Sequence, residues 1–303
     1  MTTVWQEKIF ISLDFFLTLK KYVFSAQNKL IETMKYLSLL IFIMLIYCGK
    51  KESKPIKNPS VPQQNIALLV DNSLTMIAKD FEPDRISVLK ETIKNIIEHK
   101  KENQAFSIVV FAGNSYILCP LTKDKNKLFA AVNGLNRGIM KLKPGTNFSN
   151  ALLNGINSLS GEFDYKSMMV FSDGKETIQS YPLEIPLENA KRNNITIHTT
   201  MITPKDFTIL PLTIDSKGNF QFIKMKAKPA DSALMKKISS ETNGNFKLFY
   251  TKQEIQKFNF IQFFESDHKE TKKVSPKIND KELSKIYKQI QKTNDSLNII
   301  FQK

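Results

Sequence analysis

The segment IALLVDNSLT, residues 66–75, is an apolar run that ends abruptly in an acid followed by two hydroxyl residues. A strand buried on both faces of a parallel sheet is a continuous apolar run, and its burial alone does not require such a polar ending. A hard cation does require one, because Mg²⁺ takes oxygen ligands in a near-octahedral array. The segment therefore predicts a buried strand that delivers Asp71, Ser73 and Thr75 to a metal site, with further oxygen donors expected from later loops.

The pattern from residue 64 onward predicts an α/β fold, because apolar strands alternate with helices of period 3.6. The turn at 112–114 is short enough for a hairpin, which makes the strand after it an antiparallel edge strand. The predicted strands are 65–71, 106–111, 116–119, 167–172, 195–202 and 246–250, with a separate hairpin at 208–226. The predicted helices are 84–99, 124–134, one from Phe148 to Gly161, 183–193, 231–242 and a final amphipathic helix marked by Leu283, Ile286 and Ile290.

Two later loops supply the missing oxygen donors. Thr146 lies in a glycine-containing loop before a helix, and Asp173 directly follows the strand 167–172. Ligands of open parallel sheets bind at the carboxyl ends of the strands, so we expect these side chains at one edge together with Asp71. Two carboxylates and three hydroxyls form an oxygen-rich set of low charge, which suits Mg²⁺ with an exchangeable position left open.

These residues carry a resemblance to a known family. The segment 71–75, Thr146 and Ser172-Asp173-Gly174 resemble the metal-ion-dependent adhesion site of von Willebrand factor A domains. The resemblance implies a Rossmann-like fold with a mainly parallel central sheet, one antiparallel edge strand and helices on both faces. It also implies that Ser73, Thr75 and Thr146 contact Mg²⁺ (or Mn²⁺ or Ca²⁺), while Asp71 and Asp173 hold the ion directly or through water. The open position would take a carboxylate from a partner protein.

A closer resemblance is to the Bat proteins of bacterial aerotolerance operons, and it covers about residues 64–260. It implies other Bat-type proteins as partners and a role in aerotolerance or envelope stress. Leu74 stands where the family usually has glycine, Thr75 replaces a serine, and the membrane-spanning helix expected near the C-terminus of many Bat proteins is missing. The residues that carry this resemblance are Met76, 79–81, Pro83, Arg85, 110–113, 119–122 and 231–246.

The segment before the predicted domain resembles a bacterial lipoprotein signal. Residues 36–47 are an apolar run with a single serine, too short for a bilayer span of about 20 residues, and Cys48 follows them as the expected lipidated residue. A plain signal anchor with a chance cysteine is the alternative. Because such signals stand at the N-terminus, we expect Met34 to be the true start. The predicted organisation is 1–33 as a start-site artefact or disordered segment, 34–48 as signal, 49–63 as flexible tether, 64–260 as the domain, and 261–303 as a lysine-rich tail with a helix.

The net charge and the other candidate residues argue against several function classes. The net charge of +15 comes from scattered lysines, and there is no arginine stripe or zinc-finger pattern, so no nucleic-acid partner is predicted. Cys119 and His198 are expected to be packing residues, and Asp80, Asp84 and Arg85 capping and surface-pair residues.

The sequence as a whole predicts a membrane-anchored, extracytoplasmic protein-binding module that is not an enzyme. One alternative is a metal-dependent hydrolase that uses Asp71 or Asp173 as base or nucleophile. No histidine, lysine or further carboxylate is placed by motif to support that chemistry. The other alternative is a cytoplasmic chelatase-like subunit working with an AAA+ ATPase, against which the signal sequence argues.

Overall fold

The computed structural model describes residues 32–40, 62–135, 142–161, 165–265 and 279–301, with the isolated helical positions 21, 25 and 29. The chain divides into two units, residues 1–60 and 61–303. In the first unit residues 32–40 are helical, and the predicted lipidation residue Cys48 lies outside the described residues. Within the described parts of the chain, no helix is both long enough and apolar enough to cross a membrane.

The second unit is built on a six-stranded sheet and a separate two-stranded ribbon. The strands are β1 (Gln64–Asp71), β2 (Gln104–Phe111), β3 (Ser115–Thr122), β4 (Tyr165–Ser172), β5 (Ile195–Ile202), β6 (Phe207–Ile214), β7 (Phe220–Lys226) and β8 (Phe246–Phe249). The sheet has the order β3-β2-β1-β4-β5-β8, and every pairing in it is parallel except that of β2 with β3. The predicted parallel sheet with one antiparallel edge strand is therefore confirmed. Strands β6 and β7 form the predicted hairpin.

The helices follow the apolar periodicity, and side-chain caps fix several of their starts. They are α1 (Arg85–Glu98), α2 (Lys125–Gly134), α3 (Phe148–Ser158), α4 (Glu184–Arg192), α5 (Ala233–Glu241), α6 (Lys252–Lys257), α7 (Ile261–Glu265) and α8 (Asp280–Phe301). Asp84 accepts a hydrogen bond of 2.8 Å from the Ser87 N–H and begins α1. Helix α3 ends at Ser158, before the predicted Gly161, because the Leu159 N–H already turns back to the Ile156 carbonyl.

Helices cover both faces of the sheet, which explains why β1 is apolar at every position from Ile66 to Val70. Ile66, Leu68 and Val70 pack toward α1, α2, α6 and α7, whereas Ala67 and Leu69 pack toward α3, α4 and α5. All five side chains are fully buried. Full burial of a side chain such as Leu or Ile contributes about 1.5–3 kcal/mol, so the strand is held by the layers on both sides.

The C-terminal helix α8 docks on its own domain, as its apolar stripe predicts. Ile286 and Ile290 are buried against Leu153 of α3. Asn294 is also buried and exchanges two hydrogen bonds, of 3.0 and 3.2 Å, with Asn154 of α3. The Asn294 carboxamide oxygen further accepts the N–H of a β3 residue at 3.1 Å. The helix therefore satisfies part of an otherwise open sheet edge.

Candidate metal site

The predicted site lies at the point where the order of the sheet reverses. Strand β1 has β2 on one side and β4 on the other, and all three run parallel. Asp71 is the last residue of β1, Ser172 is the last residue of β4, and Asp173 follows Ser172 directly. In open α/β sheets, the carboxyl ends at such a reversal leave a crevice that binds ligands.

Asp71 organises the loop after β1. One of its carboxylate oxygens accepts the Ser73 N–H at 2.8 Å, and the Asn72 N–H is held by the Phe111 carbonyl at 2.7 Å. Ser73 then begins a short 3₁₀ turn, Leu74–Ile77, and its Oγ lies 3.1 Å from Thr75 Oγ1. The backbone therefore places the two hydroxyls next to each other in the loop that the carboxylate holds.

Leu74 lies between these hydroxyl residues and points outward. Its side chain is 56% exposed, although both Ser73 and Met76 are buried. Leu74, which stands where the resembling family usually has glycine, thus leaves an apolar side chain on the surface beside the site. It is accommodated as the first residue of the 3₁₀ turn.

Ser172 links Asp71 to the loop that carries Asp173. Ser172 Oγ donates to the second oxygen of Asp71 at 2.6 Å and accepts the Gly174 N–H at 3.0 Å. Complete burial, followed by the nearby charge of Asp173, raises the pKa of Asp71 to about 7, against the lowering effect of the bonds from Ser172 and Ser73. Within the described residues, Asp71 accepts hydrogen bonds from these neutral donors alone.

Thr146 is buried in the loop that leads into α3. Its N–H donates to Thr177 Oγ1 at 2.8 Å, and its carbonyl accepts the N–H groups of Thr177 and Ile178, both at 3.0 Å. The loop that carries Asp173 is therefore tied to the loop that carries Thr146. Gly145 has a φ of +106°, a conformation that glycine adopts readily.

Glu176 adds a third carboxyl group to this pair of loops, and sequence reasoning missed it. Its Oε1 accepts the Phe148 N–H at 3.2 Å, at the N-terminus of α3. Partial burial raises the pKa of Glu176, and the hydrogen bond from Phe148 opposes that rise. Its position three residues after Asp173, in a loop expected to meet a helix N-terminus, is the signal that could have identified it.

Arg85 is the main residue that sequence reasoning misplaced. The interpretation of Asp80 and Arg85 as a surface pair was wrong, because their side chains are only 2% and 5% exposed. The guanidinium binds both oxygens of Asp80, at 2.8 and 2.7 Å, and donates from its remaining nitrogen to Asp173 at 2.9 Å. Burial disfavours the positive charge and lowers the pKa of Arg85, but the carboxylates of Asp80, Asp173 and Asp71 outweigh this effect and raise it.

The hairpin explains this burial. Thr208 of β6 donates to Asp80 Oδ2 at 2.6 Å and lies 3.4 Å from an Arg85 nitrogen. The Lys79 N–H also donates to the Ile209 carbonyl at 2.9 Å. A residue 123 positions downstream of Arg85 thus covers the ion pair, and no local sequence pattern announces it. Asp84, by contrast, is a helix cap, as predicted.

The residues present fit a hard divalent cation. Burial and the charge of Asp173 both disfavour the ionised form of Asp71 and raise its pKa, and a nearby cation would offset both effects. Serine and threonine hydroxyls supply neutral oxygens of the kind that Mg²⁺ accepts. Within the described residues, no three His, Cys, Asp or Glu side chains form a cluster that could hold a metal, so hydroxyls would have to complete the ligand set.

The other reactive side chains have structural roles. His198 stacks on Phe263 with ring centres 5.0 Å apart, and its Nδ1 accepts the Asn245 N–H at 3.1 Å. Cys119 is buried in β3, and burial raises the pKa of its thiol, which disfavours the reactive thiolate. Both agree with the packing roles predicted for them.

Comparisons with known proteins agree with this fold. Residues 66–176 match the family described as von Willebrand factor type A domain. A UPF0353 protein of Mycobacterium leprae is 23% identical over 235 residues, covering 73% of this chain and 66% of the relative. A UPF0353 protein of Mycobacterium tuberculosis is 24% identical over 222 residues, covering 69% and 61%. The chain thus spans slightly less than two thirds of the length of these curated relatives.

Two solved structures have the same fold. An aerotolerance-related membrane protein from Bacteroides fragilis has a TM-score of 0.54 at 18% identity, covering 66% of this chain and 98% of that one. The protein BatB from Bacteroides thetaiotaomicron has a TM-score of 0.52 at 17% identity, covering 64% and 97%. At these identities the likeness concerns the fold alone.

Proposed function

We propose that this chain, whose residues 66–176 match the von Willebrand factor type A family, captures a carboxylate of a partner protein at a divalent-cation site. The site would consist of Asp71, Ser73, Thr75, Thr146 and Asp173. The observation that carries the proposal is the convergence of the β1 and β4 ends, where a serine hydroxyl joins Asp71 to the loop of Asp173. A bound Mg²⁺ would supply the positive charge that attracts the partner carboxylate.

The protein's own groups set the charge of this site. Asp71 and Asp173 contribute two negative charges, and Arg85 offsets part of them by its contact of 2.9 Å with Asp173. The two carboxylates balance the charge of a divalent cation, and because its hydroxyl ligands are neutral, the cation can still take a further carboxylate at an open coordination position. The attraction for an acidic side chain is stronger where the interface excludes water, because the effective dielectric constant falls.

The wider setting is part of the same proposal. We place the protein on the extracytoplasmic face of a bacterial membrane, anchored through Cys48, with Bat-type proteins as partners in aerotolerance or envelope stress. The support is the lipoprotein-like signal in the sequence and the description of one structural neighbour as an aerotolerance-related membrane protein. In this proposal the protein acts by binding and has no catalytic residues.

Titration calorimetry of the full-length chain with Mg²⁺ tests the site. We expect binding by the wild type and its loss in Asp71→Ala, whereas Asp206→Ala, at an exposed carboxylate, should bind as the wild type does. Equal Mg²⁺ binding by Asp71→Ala and the wild type would refute the ligand assignment.

Crosslinking in membranes with and without EDTA then tests partner capture. We expect an EDTA-sensitive crosslinked complex from the wild type that Asp71→Ala does not form. Magnesium-dependent turnover of phosphate esters, present in the wild type and lost in Asp71→Ala, would favour the hydrolase alternative instead.

A further inference from the structure

The β6–β7 ribbon has one edge that is covered and one edge that is open. On the β6 side, the Ile209 carbonyl accepts the Lys79 N–H, which ties that edge to the loop after the 3₁₀ turn. On the other side, β7 makes backbone pairs with β6 alone within the described residues. Residues 220–226 therefore present a row of unpaired N–H and C=O groups, which is a template for another strand.

The side chains of this ribbon divide between two faces. The cross-strand pairs Thr208–Met225 and Leu210–Ile223 place three apolar side chains on one face. Of these, Ile223 and Met225 are 41% and 44% exposed, so the apolar face is only partly covered. A two-stranded ribbon is marginally stable by itself, and a sheet of three or more strands with an apolar face is more stable.

The residues on the opposite face of β7 are arranged so that two copies of this strand can pair with each other. Phe220, Phe222, Lys224 and Lys226 lie on this face, since side chains on one face recur every second residue. One of its lysines already contacts an aromatic ring, because Lys224 Nζ lies 4.7 Å from the centre of the Phe207 ring. Half of the strand thus carries aromatic side chains on this face, and the other half carries ammonium groups.

We propose that β7 pairs antiparallel with β7 of a second copy of this chain, in the register that sets Ile223 opposite its own copy. Lys224 then faces Phe222 of the other copy, and Lys226 faces Phe220. The result is a four-stranded sheet in which the apolar faces of both ribbons lie on one side. None of the residues in this pairing belongs to the proposed metal site.

The lysines also exclude two of the other registers that keep both apolar faces on the same side. A register centred on Lys224 sets that residue against its own copy, and a register centred on Met225 sets Lys224 against Lys226. Like charges directly opposite each other destabilise a sheet. A register centred on Phe222 pairs fewer residues, because Lys226 then falls opposite the turn. Lysines on an edge strand normally oppose pairing, and here they leave two registers open, of which the one centred on Ile223 pairs more residues.

Disulfide crosslinking of the full-length chain in detergent tests the register. In the proposed dimer the two copies of residue 223 have their Cα atoms about 4.5 or 5.5 Å apart, depending on the hydrogen-bonding of the pair, and both distances suit a disulfide. The matched control is Met225→Cys, on the same face and equally exposed, whose copies would lie about 14 Å apart along the strands. The wild type, which contains Cys48 and Cys119, gives the background.

We expect mild oxidation to give a crosslinked dimer from Ile223→Cys and none above background from Met225→Cys. Adding Phe222→Lys to Ile223→Cys should remove the crosslink, since it sets lysine opposite Lys224. Equal crosslinking of both cysteine variants, no crosslinking of either, or a yield unaffected by Phe222→Lys would each overturn the proposal. Sedimentation should give the mass of two chains for the wild type and of one chain for Phe222→Lys, and a monomeric wild type would also overturn it.

Discussion

The buried carboxyl group of Asp71 makes the stability of the metal-free protein depend on pH in a predictable way. Its pKa is raised from 3.8 to about 7, mainly by complete burial and then by the charge of Asp173. Between these two pH values the folded protein binds a proton that the unfolded chain has released. The free energy of unfolding therefore decreases as the pH rises from about 4 to about 7, and it changes no further from this source above that range.

The magnitude follows from the size of the rise. Each pKa unit corresponds to about 1.4 kcal/mol, so a rise from 3.8 to about 7 corresponds to roughly 4 kcal/mol. Asp71→Asn keeps the shape of the side chain and cannot ionise. We therefore expect the variant to gain stability relative to the wild type as the pH rises, by up to roughly 4 kcal/mol at pH 8. The raised pKa of Glu176 is present in both proteins and cancels in the difference.

Chemical denaturation in EDTA at several pH values between 4 and 8 measures this difference. Asp206→Asn, at an exposed carboxylate, is the control and should follow the wild type at every pH. Saturating Mg²⁺ should restore stability to the wild type at pH 8 but not to Asp71→Asn, because a ligand that binds only the folded state stabilises it. A difference between Asp71→Asn and the wild type that does not vary with pH would refute the reasoning.

Three further predictions concern other contacts. Arg85→Met leaves the buried carboxylates of Asp80 and Asp173 without their partner and should lower the free energy of unfolding by about 3–5 kcal/mol. A loss below about 1 kcal/mol would mean that these ion pairs are solvated. Asn294→Leu leaves the side-chain oxygen of the buried Asn154 without its donor, although the Asn154 amide keeps its hydrogen bond to Ser115. This should cost about 1–3 kcal/mol and speed hydrogen exchange at the Ile117 amide. Unchanged exchange there would contradict the docking of α8. Gly244→Ala would drive its Cβ into the Ile197 carbonyl group and should lower the thermal midpoint sharply. The control is Gly134→Ala, whose Cβ meets no atom within 4 Å. Equal midpoints for the two variants would contradict this packing.

The sequence predicted what depends on local pattern. The run from Ile66 to Val70 identifies a strand buried on both faces, and the polar break at Asp71 marks where it ends. Because parallel strands share a direction, Asp71 and Asp173 could be assigned to one edge without knowing the distance between them. The antiparallel edge strand followed from the short turn at 112–114. These inferences need only the period of each element and the direction of its neighbours.

The environment of Arg85 could not be predicted in the same way. Its burial depends on Thr208 and the hairpin, which reach the site from a distant part of the chain. An arginine one residue after a helix cap is usually a surface residue, so local pattern pointed in the wrong direction. Asn294 is similar, because a polar residue in an amphipathic helix gives no sign that it is buried against Asn154. Long-range polar contacts are specified by tertiary packing rather than by sequence period.

The outward orientation of Leu74 has a consequence for how a partner would be held. A leucine side chain contributes about 1.5–3 kcal/mol when fully buried, and this one is 56% exposed before any partner arrives. A partner that covers it would therefore gain roughly 1 kcal/mol, which is about fivefold in affinity. That gain does not depend on an ion. Chelation should accordingly weaken the proposed complex without changing this contribution, so Leu74→Gly should lower the affinity about fivefold both with and without the ion.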